Sequence, residues 1–302
     1  MTPTVSVIVP TRDRAELARA LASVARQTHR PLEVIVVDDG SRKPVRIASE
    51  AVRVERLSPS RGAAAARNRG VEMASGEVVA FLDDDDAWSP SYLAAQAAAF
   101  AADRELDVAT TAHVECDADG RRAVPDLEPL LVYPHPLVHL LAECPLHTLS
   151  GVACRRSAFA RYGAFDERLE IVHDLAWYLR VARLGGRFVH APEPLVERAV
   201  PGGLVTRHRR WYREEAGVHA ATFAVEPTLR RHRRLVRASR ELFFARTAWV
   251  AGDHRFALAR GCSAVAASPH WAVSIAVRRL ARRRRIRVVA RRGAGGVVGS
   301  EA

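Results

Sequence analysis

Short apolar runs that end in polar turns alternate with stretches of helical spacing along the N-terminal part of the chain. Val5-Ser6-Val7-Ile8-Val9 stops at Pro10, as a strand buried on both faces does where it runs into a loop. Leu17, Leu21, Val24 and Ala25 then fall on one face of a helix that starts near Arg14 or Ala15. After Pro31 comes a second run, Val34-Ile35-Val36-Val37, closed by Asp38-Asp39-Gly40-Ser41. This strand, helix, strand order predicts a parallel α/β sheet. Val52 to Leu57 reads as a shorter strand with one exposed face, Ala63 to Met73 as a helix, and Glu77 to Leu82 as a strand entered at Gly76.

Further along, Leu93 to Ala102 predicts a helix packed through Leu93, Ala97 and Phe100, and Asp107 to Thr111 another strand. Asp117 to Pro136 is rich in Pro, Asp and Arg and reads as a loop or small lobe. Leu149 to Ala153 is an extended piece in which Gly151 permits close backbone approach to a ligand. A turn at 163–167 precedes a helix over His173 to Leu184, ended by Gly185-Gly186, and Phe188-Val189-His190 predicts a strand. Pro201-Gly202-Gly203 is either a hinge for a mobile loop or a plain surface turn. From Arg213 the pattern is helical. The expected division is a catalytic domain over 1–200, a loop and basic helical region over 201–292, and a flexible tail over 293–302.

Composition narrows this picture only in places. The 302 residues carry a formal net charge of +12, almost all of it arginine, with Lys43 as the lone lysine. That balance favours anionic partners: nucleotide phosphates, an anionic membrane face or nucleic acid. No nucleic-acid recognition module accompanies the charge, so no nucleic-acid partner is expected. Cys116, Cys144, Cys154 and Cys262 form no CxxC pair, which argues against a zinc knuckle or a disulfide framework. The stretch Gly261 to Val277 is too short and too interrupted for a spanning helix. With no basic leader before the first strand, a cytoplasmic protein is expected, with peripheral contact at the inner face of the cell membrane open to the arginine blocks.

The densest chemistry lies at Phe81-Leu82-Asp83-Asp84-Asp85-Asp86-Ala87-Trp88. Carboxylates packed at a strand end repel one another unless a cation offsets them, and Mg²⁺ or Mn²⁺ beside phosphates suits such a cluster. A solvated acidic turn is the plain alternative. Ligands of open α/β sheets gather beyond the carboxyl ends of strands, where Pro10-Thr11, Asp38-Asp39 and the acidic stretch all fall. There is neither a GxGxxG after the first strand nor a GxxxxGK[ST], which disfavours a dinucleotide site or a P-loop.

The order of motifs resembles the inverting, nucleotide-sugar-dependent glycosyltransferases of family 2, which have the GT-A fold. The resemblance runs through 5–14, 34–41, Ala66-Arg67-Asn68-Arg69-Gly70, the acidic stretch, 163–169 and His173-Asp174-Leu175-Ala176-Trp177. It implies a Rossmann-like, mostly parallel central sheet flanked by helices, followed here by an arginine-rich helical region. It further implies transfer of a sugar from a UDP-, dTDP- or GDP-sugar to an acceptor hydroxyl on a glycan, a lipid-linked sugar or a small natural product, with Mn²⁺ or Mg²⁺. A non-catalytic nucleotide-sugar-binding protein and a nucleotidyltransferase are the alternatives.

By that resemblance Pro10, Thr11 and Asp13 line the nucleotide pocket, and Asp38 or Asp39 holds base or ribose. Arg67 approaches base or diphosphate, or forms an ion pair with Asp39. Asp85 is the direct metal ligand, with Asp83 facing ribose or a metal-bound water. Asp84 and Asp86 cap the following turn or helix, or else ligate the metal, Asp84 also lying on the donor side. Asp174 is the acceptor-side base or else only favours the first turn of its helix, and His173, where the family usually has Glu, shares the base role or contacts the acceptor. His208 is a candidate to reach the metal from the loop after Gly203. Trp177 and Tyr178 either stack on a sugar or belong to the core.

Overall fold

The computed structural model describes residues 2–116, 122–123, 135–144, 148–199 and 207–278. Most of the expected loop or small lobe at 117–136, the loop at 200–206, and residues 279–302 with the expected tail at 293–302 lie outside the described residues. The first strands form as the apolar runs require: β1 (Val5–Thr11), β2 (Glu33–Asp39), β3 (Val52–Leu57) and β4 (Val78–Phe81). Between them lie α1 (Leu17–Ala25) and α2 (Ala63–Met73). The chain continues through β5 (Ala87–Trp88), α3 (Tyr92–Ala102), β6 (Val108–Cys116), β7 (Arg122–Ala123) and α4 (Pro136–Glu143). A 3₁₀ turn at Leu149–Gly151 leads into β8 (Val152–Arg155), α5 (Arg156–Tyr162), α6 (His173–Arg183) and β9 (Phe188–Ala199). Helices α7 (His208–Val225), α8 (Arg233–Val250) and α9 (His254–Ala267) follow, and residues 269–278 are helical as well.

Strand order is β3-β2-β1-β4-β8-β6-β9-β5, with β7 beside β6. The pairs β1–β2, β1–β4, β2–β3 and β6–β9 are parallel, whereas β4–β8, β6–β8, β5–β9 and β6–β7 are antiparallel. The sheet is therefore mixed, which corrects the expectation of a mostly parallel one. The long strands share one direction, and β8 is wedged between β4 and β6 against them. A buried run has the same apolar pattern in either direction; the connection that delivers it decides. The strand expected at Phe188–His190 extends to Ala199, because Pro192 and Pro194 fall where the register with β6 shifts between Thr111 and His113.

Period-two alternation divides the core into two layers. Val5, Val7 and Val9 join Val34, Val36, Val78 and Ala80 under α1 and α3, while Ile8, Ile35, Val37, Val79 and Phe81 face the other side. On that second side α2, α4, α5 and α6 share one apolar cluster with Val218 and Phe223 of α7 and Leu235 and Val236 of α8. The C-terminal helices thus complete the layer that holds α6. Gly70 is demanded by this packing, since a Cβ there would overlap Ile8 of β1. Gly151 has a different use from the one expected: a Cβ would sit 3.0 Å from the Thr111 carbonyl oxygen, so the close approach is to β6.

Candidate functional site

Because β2, β1 and β4 are adjacent and parallel, their carboxyl ends deliver Asp38-Asp39, Thr11 and the acidic stretch to one edge. Thr11 Oγ1 donates to Asp84 Oδ2 at 2.6 Å. Pro10 lies opposite Val37 in the sheet register. Asp13 takes a left-handed φ of 54° and is locked to the end of β2: its N–H donates to Ser41 Oγ (3.0 Å), and its Oδ1 accepts from the Arg42 N–H (2.9 Å).

The two aspartates of β2 have separate tasks. Asp38 is fully buried and accepts from the Ser41 N–H at 2.8 Å, the Val45 N–H at 3.2 Å and Arg56 at 2.5 Å. Burial pushes its carboxyl up, but the bonds from Ser41, Val45 and Arg56 together hold it below its ordinary value. Asp39 cradles the entry to α2, accepting from Ser60 Oγ (2.7 Å), the Arg61 N–H (2.7 Å) and the Gly62 N–H (2.9 Å).

Within the acidic stretch the carboxylates alternate in exposure. Asp84 and Asp86 are buried, while Asp83 and Asp85 are half-buried. Asp86 accepts from the Ala199 N–H at 2.9 Å and Thr148 Oγ1 at 3.3 Å, tying the turn to the end of β9. Neither Asp84 nor Asp86 caps a helix; each binds a distant element. The Asp83 N–H donates to Ser150 Oγ at 3.0 Å, and Arg14 Nη1 lies 3.2 Å from Asp85 Oδ2. Burial, with repulsion from Asp85 and Asp83, pushes Asp84 up to about 6 despite the Thr11 bond and Arg14. Burial and then Asp83 raise Asp85, and the same pair of causes raises Asp86. Two like charges ~4 Å apart repel by about 4 kcal/mol at an effective dielectric near 20. Arg14, half exposed, offsets little of that because solvent screens it. Among the described residues no group of three or more His, Cys, Asp or Glu side chains forms a ready-made metal cage.

Arg67 links this edge to α6. From α2, almost fully buried, it donates through Nη2 to Asp83 Oδ1 and through Nη1 to His173 Nε2, the latter at 2.8 Å. The ion pair weighed with Asp39 is thus made with Asp83 instead. Arginine can only donate, so His173 Nε2 must accept, and the neutral ring carries its proton on Nδ1. Burial, then the neighbouring Arg67, pushes His173 down to about 3. Asp174 follows in the first turn of α6, its Oδ1 accepting the Leu175 N–H at 2.7 Å. Burial raises its carboxyl to about 6, against the Leu175 bond and Arg67 and with help from Asp83. Trp177 and Tyr178 are core residues, and Trp177 stacks on Phe159 at 4.8 Å.

Several contributors escape a reading of spacing. Asn68 clasps Phe165, donating to its carbonyl and accepting its N–H, both at 3.0 Å, which ties α2 to the turn before α6. Glu214 of α7 accepts from the Ile171 N–H (2.8 Å) and Val172 N–H (3.4 Å), holding the entry to α6. Beside it, burial raises Glu215 to about 7, with Arg240 and Trp211 opposing and Asp174 adding. Nothing in the local sequence flags either glutamate. His208 has Nε2 3.0 Å from Asp253 Oδ2 and its ring edge-on to Phe256 at 5.4 Å, within the packing of α7 against α9.

Comparison with known proteins follows the same outline. The model of glycosyl transferase family 2 matches residues 6–163. The O-antigen biosynthesis protein RfbC of Myxococcus xanthus is 32% identical over 242 residues, covering 76% of this chain and 18% of that protein. The pre-mycofactocin glycosyltransferase of Mycobacterium tuberculosis is 32% identical over 212 residues, 64% of this chain and 42% of its own. This chain therefore spans less than half the length of either relative. Among solved structures, Staphylococcus aureus TarS 1–349 superposes with a TM-score of 0.54 at 20% identity, covering 87% of this chain and 90% of that one. That likeness shows a shared fold, and the same TarS segment has been solved in complex with UDP.

Proposed function

Because the chain belongs to glycosyl transferase family 2, we propose that it transfers a sugar, with inversion, from a nucleoside-diphosphate sugar to an acceptor hydroxyl. The observation that carries this reading is the Arg67 bridge, which joins the carboxylate edge at Asp83 to His173, the neighbour of Asp174. Donor and acceptor functions then sit on either side of one arginine. UDP is the first donor to try, since TarS, a neighbour in fold, was solved with UDP; dTDP and GDP remain in the set.

Pro10, Thr11, Asp13 and Asp39 would frame the nucleoside, and Asp38 would hold the Gly40-Ser41 turn in shape beneath it. Asp83 and Asp85 fit a hard divalent ion: they are the half-buried pair, they repel each other, and such ions take one or two carboxylates plus substrate phosphates. Mn²⁺ or Mg²⁺ held there would stabilise charge on the departing diphosphate. Asp84 would keep Thr11 in place, and His208, engaged with Asp253, is left out of the metal set.

Asp174 would accept the proton of the acceptor hydroxyl as its oxygen bonds to the anomeric carbon and the carbon–oxygen bond to the diphosphate breaks. A carboxyl held near 6 is basic enough to take that proton and is still ionised at neutral pH. His173 is a poorer base, because Arg67 occupies its Nε2 lone pair and Nδ1 already carries a proton; its role is to position Arg67. In this reading 1–200 is the catalytic domain, and the described helices from His208 onward pack behind its acceptor side. The protein would act in the cytoplasm with peripheral contact to an anionic membrane face, on a glycan, lipid-linked sugar or small natural product, and with no nucleic-acid partner.

Titration calorimetry of UDP-, dTDP- and GDP-sugars with and without Mn²⁺, followed by acceptor trials with the donor that binds, tests the proposal. Metal-dependent donor binding followed by turnover is expected. Binding without transfer, indifferent to Asp174→Asn, would instead favour a non-catalytic nucleotide-sugar-binding protein.

A further inference from the structure

The outward side of helix α9 is apolar, although Phe256, Ala257 and Ala264 already turn apolar atoms inward. A solvated helix turns charge outward and apolar residues inward. Here Leu258, Ala259, Cys262, Val265 and Ala266 lie on the exposed side, joined by a single charge, Arg255. Leu258 is 63% exposed and Val265 51%. The helix's other arginine, Arg260, turns inward, 3.2 Å from Glu241 and over the Tyr212 ring. Near the start of α9 the last two residues of α8 add Trp249, 57% exposed, and Val250, 67% exposed; the Trp249 ring lies 4.5 Å from His254. Among the described residues no helix is long and apolar enough to cross a membrane.

We propose that this outward face of α9, with Trp249 and Val250 at its end, docks on an anionic lipid bilayer. The helix would lie in the interface plane with Leu258 and Val265 toward the acyl chains. An indole beside an imidazole suits the headgroup level, where one end of the ring is apolar and the other wet. Positive charge supports the occupant: Arg255 opens the face, and the chain after α9 carries Arg278, Arg279, Arg282, Arg283, Arg284, Arg285 and Arg287. A second copy of this chain would bring the same arginines against themselves, which disfavours self-association. Apolar burial and attraction to anionic lipid add, whereas either alone binds weakly. The inference rests on the peripheral-membrane part of the proposed function and is independent of sugar transfer.

The test is flotation of the full chain, without substrates, with vesicles of phosphatidylcholine alone or containing about 30% phosphatidylglycerol. Binding to the anionic vesicles only is expected, with quenching of Trp249 by brominated lipid that Trp249→Phe removes. The double variant Leu258→Asp, Val265→Asp should bind about tenfold more weakly or worse, with unchanged circular dichroism and melting temperature. No binding to anionic vesicles would overturn the proposal. So would equal binding by the double variant, or a dimer in sedimentation that the double variant dissolves. Donor calorimetry with the same double variant keeps this outcome separate from the fate of the transferase reading.

Discussion

The two sides of the candidate site are built differently. On the donor side Thr11, Asp13 and Asp39 follow strand ends and are held by neighbouring loops and turns: Thr11 by Asp84, Asp13 by Ser41, Asp39 by the entry to α2. On the acceptor side Asp174 and His173 stand at the start of a helix whose entry is held by Glu214, about forty residues later in the chain. A strand end is rigid because the sheet ladder fixes it. A helix start is only as rigid as whatever packs against it, and here that is α7. Perturbing the C-terminal helices should therefore damage transfer before it damages donor binding.

The largest expected effect is on the donor side. Asp85→Ala should lower transfer about a thousandfold or more with little change in melting temperature, since its carboxylate makes few bonds to the fold. Retained activity without metal dependence would remove Asp85 from the ligand role. Next, Asp174→Asn should lower kcat by about 10²–10⁴ while leaving donor affinity within a few-fold. A near-normal kcat on the true acceptor would reject it as base. The pH profile offers a check on the same group. The base works deprotonated, so kcat should rise through about pH 6 and level off above it, and the Asn variant should lack that limb.

Glu214→Ala sharpens the comparison. Losing the acceptor for the Ile171 and Val172 N–H groups should cost about 1–3 kcal/mol of stability. It should also lower kcat more than donor affinity; an equal loss of both would mean that the two sides are not mechanically separate. The smallest effect concerns Glu215, raised in the folded state to about 7 from its ordinary 4.5. A carboxyl with a raised folded value favours its protonated form in the native state. Its stabilisation is thus present at low pH and lost as pH rises through about 7. Glu215→Gln should match the parent near pH 5 and melt a few degrees higher near pH 8.5. Thermal melts across that range decide it, and a lower melt at high pH would show that the charge pair with Arg240 outweighs burial.

Much of the first layer was legible in the chain itself. Apolar runs ending in Pro10, Asp38-Asp39 and Asp83 predicted strands whose ends converge, because period and punctuation are local properties of the chain. Strand direction was not legible: Val152 to Arg155 reads the same whichever way it runs, and only its insertion between β4 and β6 made the sheet mixed. Pairings were equally hidden. The family resemblance left Arg67 open to base, diphosphate or Asp39, but burial beside α6 gives it Asp83 and His173.

What the sequence by itself determined is the inventory: buried strands, acidic turns at their ends, the Arg-Asn pair, and a carboxylate opening a helix. These follow from side-chain chemistry and short-range periodicity. What only the tertiary structure decided is the assignment of partners. It made Asp38 a buried brace and left Asp83 and Asp85 as the half-open pair. It turned His173 into a neutral ring and His208 toward Asp253, and it brought Glu214 to the start of α6. Those outcomes depend on contacts between residues tens to a hundred positions apart, and a local pattern carries no information about which distant group will fill a lone pair or donate a proton.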